Sequence, residues 1–218
     1  AQLVQEARIV TLTGPGGVGK TRLALHAAAE VASFTDARLV ELAHLTAGAS
    51  ADAVARAIAV AVGLGSIRDP IATTASLLDR QDTLLVIDNC EHVIDGAAEV
   101  IIDLVDRCPG VRVIATSRER LGVDGEHVIP VPSLRPATAS SLLRVRAEAA
   151  GMDPAAIDEG QVLDIVDRLD GLPLAIELTA ARSVTLGLPA IVHAVRHRSP
   201  TAGRRHRGKV DRHATMGA

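Results

Sequence analysis

The 218 residues are 48% hydrophobic, with 23 Lys and Arg set against 26 Asp and Glu, enough apolar matter for one core or for a core domain with a small appendage. Cys90 and Cys108 stand at no metal-ligand spacing, which argues against a metal finger or a disulfide framework. No apolar run approaches the roughly 18 residues of a membrane span, and no basic stretch leads into an apolar one and a cleavage site, so a cytoplasmic module without membrane contact is expected. Charge is uneven: residues 196–218 hold 7 basic residues and 1 acidic one, which leaves a body of net −9 and a tail of +6. An acidic body is a poor nucleic-acid surface.

In chain order, Ile9-Val10-Thr11-Leu12 reads as a first strand. Gly14-Pro-Gly-Gly-Val-Gly-Lys-Thr21 follows directly, a complete G-x-x-x-x-G-K-[ST] loop. Gly14, Gly16, Gly17 and Gly19 let the backbone turn tightly and aim N–H groups at a phosphate. The ammonium of Lys20 suits the β- and γ-phosphates of a nucleoside triphosphate, and the hydroxyl of Thr21 suits Mg²⁺ at the start of the next helix. Val18 and Arg22 complete the stretch expected to wrap the nucleotide. The same residues also spell G-x-G-x-x-G, and Glu41 lies about 20 residues on, where a dinucleotide fold keeps its ribose acid. Against that rival stand Lys20-Thr21 and a later acidic strand end.

A helix with Leu23, Ala27 and Val31 on one face comes next, then a strand over 37–42 and a helix burying Val54, Ala57, Ile58, Ala61 and Val62. A breaker zone spans Gly63–Pro70, and a helix is expected near Thr73–Arg80. Residues 83–88, Thr-Leu-Leu-Val-Ile-Asp, read as a strand buried on both faces that delivers Asp88 to the phosphate rim, where it can hold Mg²⁺. A helix over 96–107 carries Ile101, Leu104 and Val105 on the face that Cys108 continues, which makes Cys108 a buried thiol. Residues 111–115 form a fourth strand ending in Thr116-Ser117-Arg118, and 127–131 can supply a fifth that its prolines place at an edge. Arg118 at a strand end on the ligand rim could form a bidentate pair with a γ-phosphate, or be an exposed loop arginine.

Such alternation means a parallel sheet flanked by helices, and with the glycine loop of residues 14–21 the expected fold is an α/β P-loop NTPase. After Pro136 the pattern turns helical, with Val162, Ile165, Val166 and Leu169 at i, i+3, i+4 and i+7 and another helix from Leu174 after Gly171-Leu172-Pro173. The expected division is a nucleotide-binding α/β domain over 1–136, a small helical lid over 137–198 and a basic tail over 199–218. The tail, with Arg204-Arg205-His206-Arg207-Gly208-Lys209, reads as a solvated, poorly ordered segment or as a contact for DNA or an acidic partner. His193 and His197 share a helix face without a third ligand and read as an exposed pair. The chain starts without Met and enters its first strand within ten residues, as a piece of something longer would.

Four motifs in order and spacing, Gly14 to Thr21, Leu84-Leu-Val-Ile-Asp-Asn-Cys-Glu-His92, Ala115-Thr-Ser-Arg118 and Gly171-Leu-Pro-Leu-Ala-Ile-Glu177, resemble the NB-ARC branch of the STAND signal-transduction ATPases. The version they resemble most occurs in large bacterial, often actinobacterial, transcriptional regulators with LuxR-type or SARP-type DNA-binding domains. The resemblance covers about residues 8–195. It implies an ATP/ADP switch with Mg²⁺ and slow hydrolysis, in which Lys20 and Thr21 are the phosphate and metal residues, Asp88 the Walker B acid, Arg118 the sensor arginine and Pro173 the proline that packs near adenine. Exchange of ADP for ATP would open the lid for self-association, and DNA would be met only by other domains.

Three features depart from the family pattern. The segment ahead of the first strand that helps to hold adenine is nearly absent, which implies reduced affinity. Asn89 stands where a second acid often supports hydrolysis, and its amide cannot accept a proton from water as a carboxylate does. Glu91 is the nearest replacement, or else a solvated helix-cap residue. Near the end, Arg212-His-Ala-Thr-Met216 resembles the start of a winged-helix region, with His213 in a remnant rather than as its histidine sensor. Other readings are a nucleotide-free or ADP-locked scaffold and an AAA+-like ATPase stimulated by nucleic acid. A GTPase is disfavoured, because no N-K-x-D sequence occurs.

Overall fold

The computed structural model describes residues 2–31, 34, 36–65 and 67–196. The basic tail, His197 and His213 lie outside the described residues, as do the expectations placed on them.

Five parallel strands, β1 (Ile9–Thr13), β2 (Asp36–Glu41), β3 (Thr83–Asp88), β4 (Val111–Ser117) and β5 (Glu126–Pro130), lie in the order β2-β3-β4-β1-β5. Period-2 alternation divides their side chains between two cores. Leu85 and Ile87 of β3 and Val113 and Ala115 of β4 meet α3 (Ala51–Ala61), α4 (Pro70–Leu78) and α5 (Ile94–Arg107) on one face. On the other, Val10, Leu12, Leu84, Val86 and Ile114 meet α1 (Gln2–Glu6) and α2 (Lys20–Glu30). The first five residues of β3 are buried, as expected of a strand covered on both sides, and β5 is an edge strand as its prolines require.

The strand order removes the dinucleotide reading. Two strands, β3 and β4, separate β1 from β2, and Glu41 is an exposed residue at the far edge, away from the glycine loop. A ribose acid must end next to the loop strand to share one ligand with it.

Helix boundaries follow their caps. Pro70 does not break the chain but starts α4, with Asp69 as N-cap accepting from the Ala72 N–H at 3.0 Å. That places this helix three residues ahead of the expected start. Asp158 caps α7 (Glu159–Arg168) in the same way through the Gln161 N–H at 2.9 Å. The Arg8 guanidinium, just ahead of β1, ties that strand to the C-terminal end of α5 by donating to the carbonyls of Val105 (2.5 Å) and Cys108 (2.6 Å). Cys108 is fully buried beside the Ala75 carbonyl.

Beyond β5, α6 (Pro136–Ala149), α7, α8 (Pro173–Leu186) and α9 (Leu188–Arg196) share a core of their own. Leu143, Ile165, Ile176 and Leu188 are its largest fully buried side chains. Truncating Ile165 to Ala should cost about 2–5 kcal/mol through lost burial and an unfilled cavity. Hydrogen exchange should show faster amide exchange in α6–α9 while β3 and β4 keep their protection; equal loss in both regions would mean that the two cores unfold as one.

Candidate nucleotide-binding site

The C-terminal edge of the sheet assembles the site because parallel strands bring their ends to one rim. Register sets Leu12 of β1 beside Thr116 of β4, and Ile87 of β3 beside Ala115, so Thr116 lies between the entry to the glycine loop and Asp88. Asp88 Oδ1 accepts from the hydroxyls of Thr21 (2.5 Å) and Thr116 (2.6 Å). Thr116 Oγ1 in turn accepts from the Asn89 N–H at 3.0 Å. Thr116 is a site residue that reading the motif alone missed, although a hydroxyl at the end of a strand beside the acid was its signal.

The glycine loop cannot carry side chains where it approaches its neighbours. Gly17 has φ +79, and a Cβ there would lie 2.9 Å from Leu174 Cβ; one on Gly14 would lie 2.8 Å from the Val131 carbonyl oxygen. Helix α2 starts from Gly19 in left-handed conformation with no side-chain cap. Its first N–H groups therefore face the loop with a partial positive charge and without a side-chain acceptor. Lys20 is 9% exposed, and its ammonium donates to the carbonyls of Gly14 (2.9 Å) and Pro15 (3.1 Å). Burial pushes its pKa below the usual lysine value; Glu91 and Asp88 oppose that shift, and Arg118 adds to it.

Glu91 is not a solvated cap. Its side chain is 14% exposed and pairs with Arg118, Nε to Oε1 at 3.0 Å, while Oε2 is buried with no hydrogen-bond partner among the described residues. Arg118 is 69% exposed along its side chain yet lines the cleft beside the glycine loop, with Nη2 3.8 Å from where a Gly16 Cβ would sit. Asn89 takes a left-handed φ of +67, and its amide faces His92 Nδ1 at 3.1 Å, while His92 Nε2 lies 3.0 Å from the Leu42 carbonyl. The network assigns the proton to Nε2, with Nδ1 accepting from Asn89.

The cleft has two ends. A polar one of about 410 Å³ includes Lys20, Thr21, Asp88, Glu91, Thr116 and Arg118 among its lining residues. An apolar one of about 590 Å³ lies between α2 and the helices after Pro136, with Val18, Leu23, Leu134 and Leu142 in its walls. Gly19, Arg22, Pro173 and Glu177 line both. Helix α8 reaches the loop directly: the Leu174 N–H donates to the Gly17 carbonyl at 3.1 Å. Helix α1 lines neither end, and no group of three or more His, Cys, Asp or Glu able to hold a metal occurs among the described residues.

The sequence profile of the AAA domain family matches residues 3–121. The chain belongs to that family. Among its relatives, a Mycobacterium tuberculosis protein with the provisional name of HTH-type transcriptional regulator is 38% identical over 188 residues, covering 83% of this chain and 21% of that protein. The regulatory protein AfsR of Streptomyces coelicolor is 29% identical over 184 residues, 80% of this chain and 18% of AfsR. The chain thus spans about a fifth of the length of these relatives. A STAND protein with a tetratricopeptide repeat sensor from Pyrococcus horikoshii shares the fold at TM-score 0.56 and 20% identity, over 88% of this chain and 31% of its own. Domain III of the Thermotoga maritima replication initiation protein DnaA does so at TM-score 0.52 and 12% identity, over 88% and 82%. Among the described residues no helix is long and apolar enough to cross a membrane.

Cys90 is fully buried behind Asp88, and burial followed by the charges of Asp88 and Glu91 pushes its thiol up to about 12. Only the thiolate attacks disulfide reagents. At pH 8 the folded protein should leave Cys90 unmodified by an aromatic disulfide, and peptide mapping should find it labelled once the chain is unfolded. Rapid labelling in the folded state would place Cys90 in solvent.

Proposed function

We propose that this chain is the Mg–ATP/ADP-binding switch domain, a slow ATPase, of a multidomain signalling or transcriptional regulator of the NB-ARC/STAND type. The contact between the Thr21 hydroxyl and Asp88 at the mouth of the glycine loop carries the reading. Hydroxyl and carboxylate are the hard oxygen donors that suit Mg²⁺, which takes few protein ligands beside its phosphates. Thr21 and Asp88 would hold the ion, whose charge would offset that of the phosphates.

The chain's own groups then have separate tasks. Lys20, whose ammonium is bound to two loop carbonyls, exchanges them for the β- and γ-phosphate oxygens. The uncapped start of α2 supplies N–H donors beside it. Arg118 leaves Glu91 for the third phosphate and so distinguishes tri- from diphosphate. Glu91, which lines the polar end and whose Oε2 is buried without a partner among the described residues, is then the carboxylate that takes the proton of the attacking water once Arg118 has left it, a task Asn89 cannot perform. The base lies at the apolar end near Pro173. The lid senses this state through the bond between Leu174 and Gly17. Self-association would run through this domain in the full-length protein, and DNA would be bound by domains outside this chain.

The closed pair of Arg118 and Glu91 favours a second reading, a scaffold locked in one state without turnover. Kinetics separates the two, because a switch turns over slowly and a scaffold does not.

Two measurements test the proposal. Replacing Lys20 by Ala should weaken ATP binding by about 2–5 kcal/mol in titration calorimetry, as expected when a buried charge pair is broken; equal affinity would remove the phosphate-loop assignment. Changing Glu91 to Gln should slow single-turnover hydrolysis by about 10²–10⁴-fold while ATP still binds. Asn89→Asp should change the rate far less. A large gain from Asn89→Asp with no loss from Glu91→Gln would move the base away from Glu91.

A further inference from the structure

Glu177 belongs to the last of the four motifs but has no part in the phosphate chemistry. It lies one turn beyond Pro173 on α8, so both side chains stand on the helix face turned toward α2. It is also one of the four residues that line both ends of the cleft. With phosphates at the polar end and a base at the apolar end, the sugar between them must pass these four. Gly19 offers no side chain and Pro173 only carbon. Arg22 can donate but not accept, which suits phosphate oxygens. Glu177 is the one side chain of the four that only accepts hydrogen bonds.

A ribose brings two hydroxyls that have to donate to something once water is excluded. A carboxylate is the acceptor that other nucleotide folds use for a ribose hydroxyl. Glu177 is also pre-oriented. Arg146 of α6 donates through Nε at 3.1 Å and Nη2 at 3.0 Å, and both contacts fall on Oε1. Such a clamp lowers the entropy lost when the carboxylate takes up a further bond.

From this placement we infer that Glu177 reads the sugar, accepting a ribose hydroxyl at Oε2 and making the site selective for ribonucleotides over deoxyribonucleotides. The inference rests on the proposal that the cleft binds a nucleotide. Selectivity of this kind is strong because the analogue lacking the hydroxyl leaves a polar group unpaired.

The test compares ATP, 2′-deoxy-ATP and 3′-deoxy-ATP by titration calorimetry on the full 218-residue chain, with Glu177→Met, which keeps volume and helix propensity, and Glu177→Ala as variants. The parent should bind ATP about tenfold or more tightly than at least one deoxy analogue, the size expected of a hydrogen bond to a charged group. In both variants the ratio should fall to within about twofold, through loss of ATP affinity rather than gain by the analogue. A parent that binds all three nucleotides equally overturns the inference and leaves the nucleotide reading standing. Variants that weaken all three in proportion also overturn it, since that is what a purely structural link between α6 and α8 would do. A parent that binds none of them overturns the nucleotide reading itself.

Discussion

The site is organised by a buried cation, Lys20, to which no carboxylate is bonded among the described residues. Lys20 is almost wholly enclosed, and its ammonium meets two backbone carbonyls of its own loop. Carbonyl dipoles offset only part of the cost of taking an ammonium out of water. The nearby negative charges, Asp88 and Glu91, are each engaged elsewhere through one oxygen, the first by two hydroxyls and the second by Arg118. With the uncapped start of α2 alongside, the loop is a positive concavity, and an anion is the ligand that relieves it. Most of the surrounding geometry serves to keep that concavity open: glycine where Leu174 and Val131 press in, and Thr116 beneath the acid.

Much of this frame was legible in the sequence, for reasons that differ between elements. Residues 83–88 could be read because a strand covered on both faces has no polar interruption, and the glycine loop because close approach to phosphate leaves few residue choices. Strand order was not legible. The loop sequence is shared by two sugar-phosphate folds, and only the placement of β4 between β1 and β3, with Glu41 at the opposite edge, separates them. Boundaries shifted where one residue type serves two purposes. Pro70 reads as a breaker, yet after a capping Asp69 it occupies the one helical position where a missing N–H costs nothing.

Site residues divide in the same way. Lys20, Thr21, Asp88 and Arg118 announce themselves through spacing within single motifs, and the fold brings all four to one cleft. Glu91 stayed ambiguous because its neighbours in sequence are consistent with a solvated turn; the deciding facts are the low exposure of its side chain and the contact with Arg118, which lies on another strand end. Thr116 and Glu177 were visible in their motifs but carried no role, since a hydroxyl beside an acid or a carboxylate beside a proline has meaning only once the strands and helices are set against each other. The apolar end of the cleft is likewise a product of tertiary structure, built from α2 on one wall and α6 and α8 on the other.

That apolar end bears on how a switch could work here. The chain has one Phe and neither Trp nor Tyr. Phe34 lies under the Arg112 guanidinium, whose Cζ is 5.8 Å from the centre of the Phe34 ring, and lines neither end of the cleft. A base at this end would be held mainly by aliphatic contact with Val18, Leu23, Leu142 and Pro173, and the one ring among the described lining residues is the exposed imidazole of His26. In the proposed complex a larger share of the binding energy then falls on the phosphates. The base is common to both nucleotides and its contacts favour neither, whereas the third phosphate meets Lys20 and Arg118 in one of them alone. A ligand shifts a two-state equilibrium only by its differential affinity. On the proposed reading, a cleft that grips the base weakly and the phosphates strongly would lose affinity overall while keeping the part of it that tells ATP from ADP, and Leu174, bonded to Gly17, would place α8 where that difference acts.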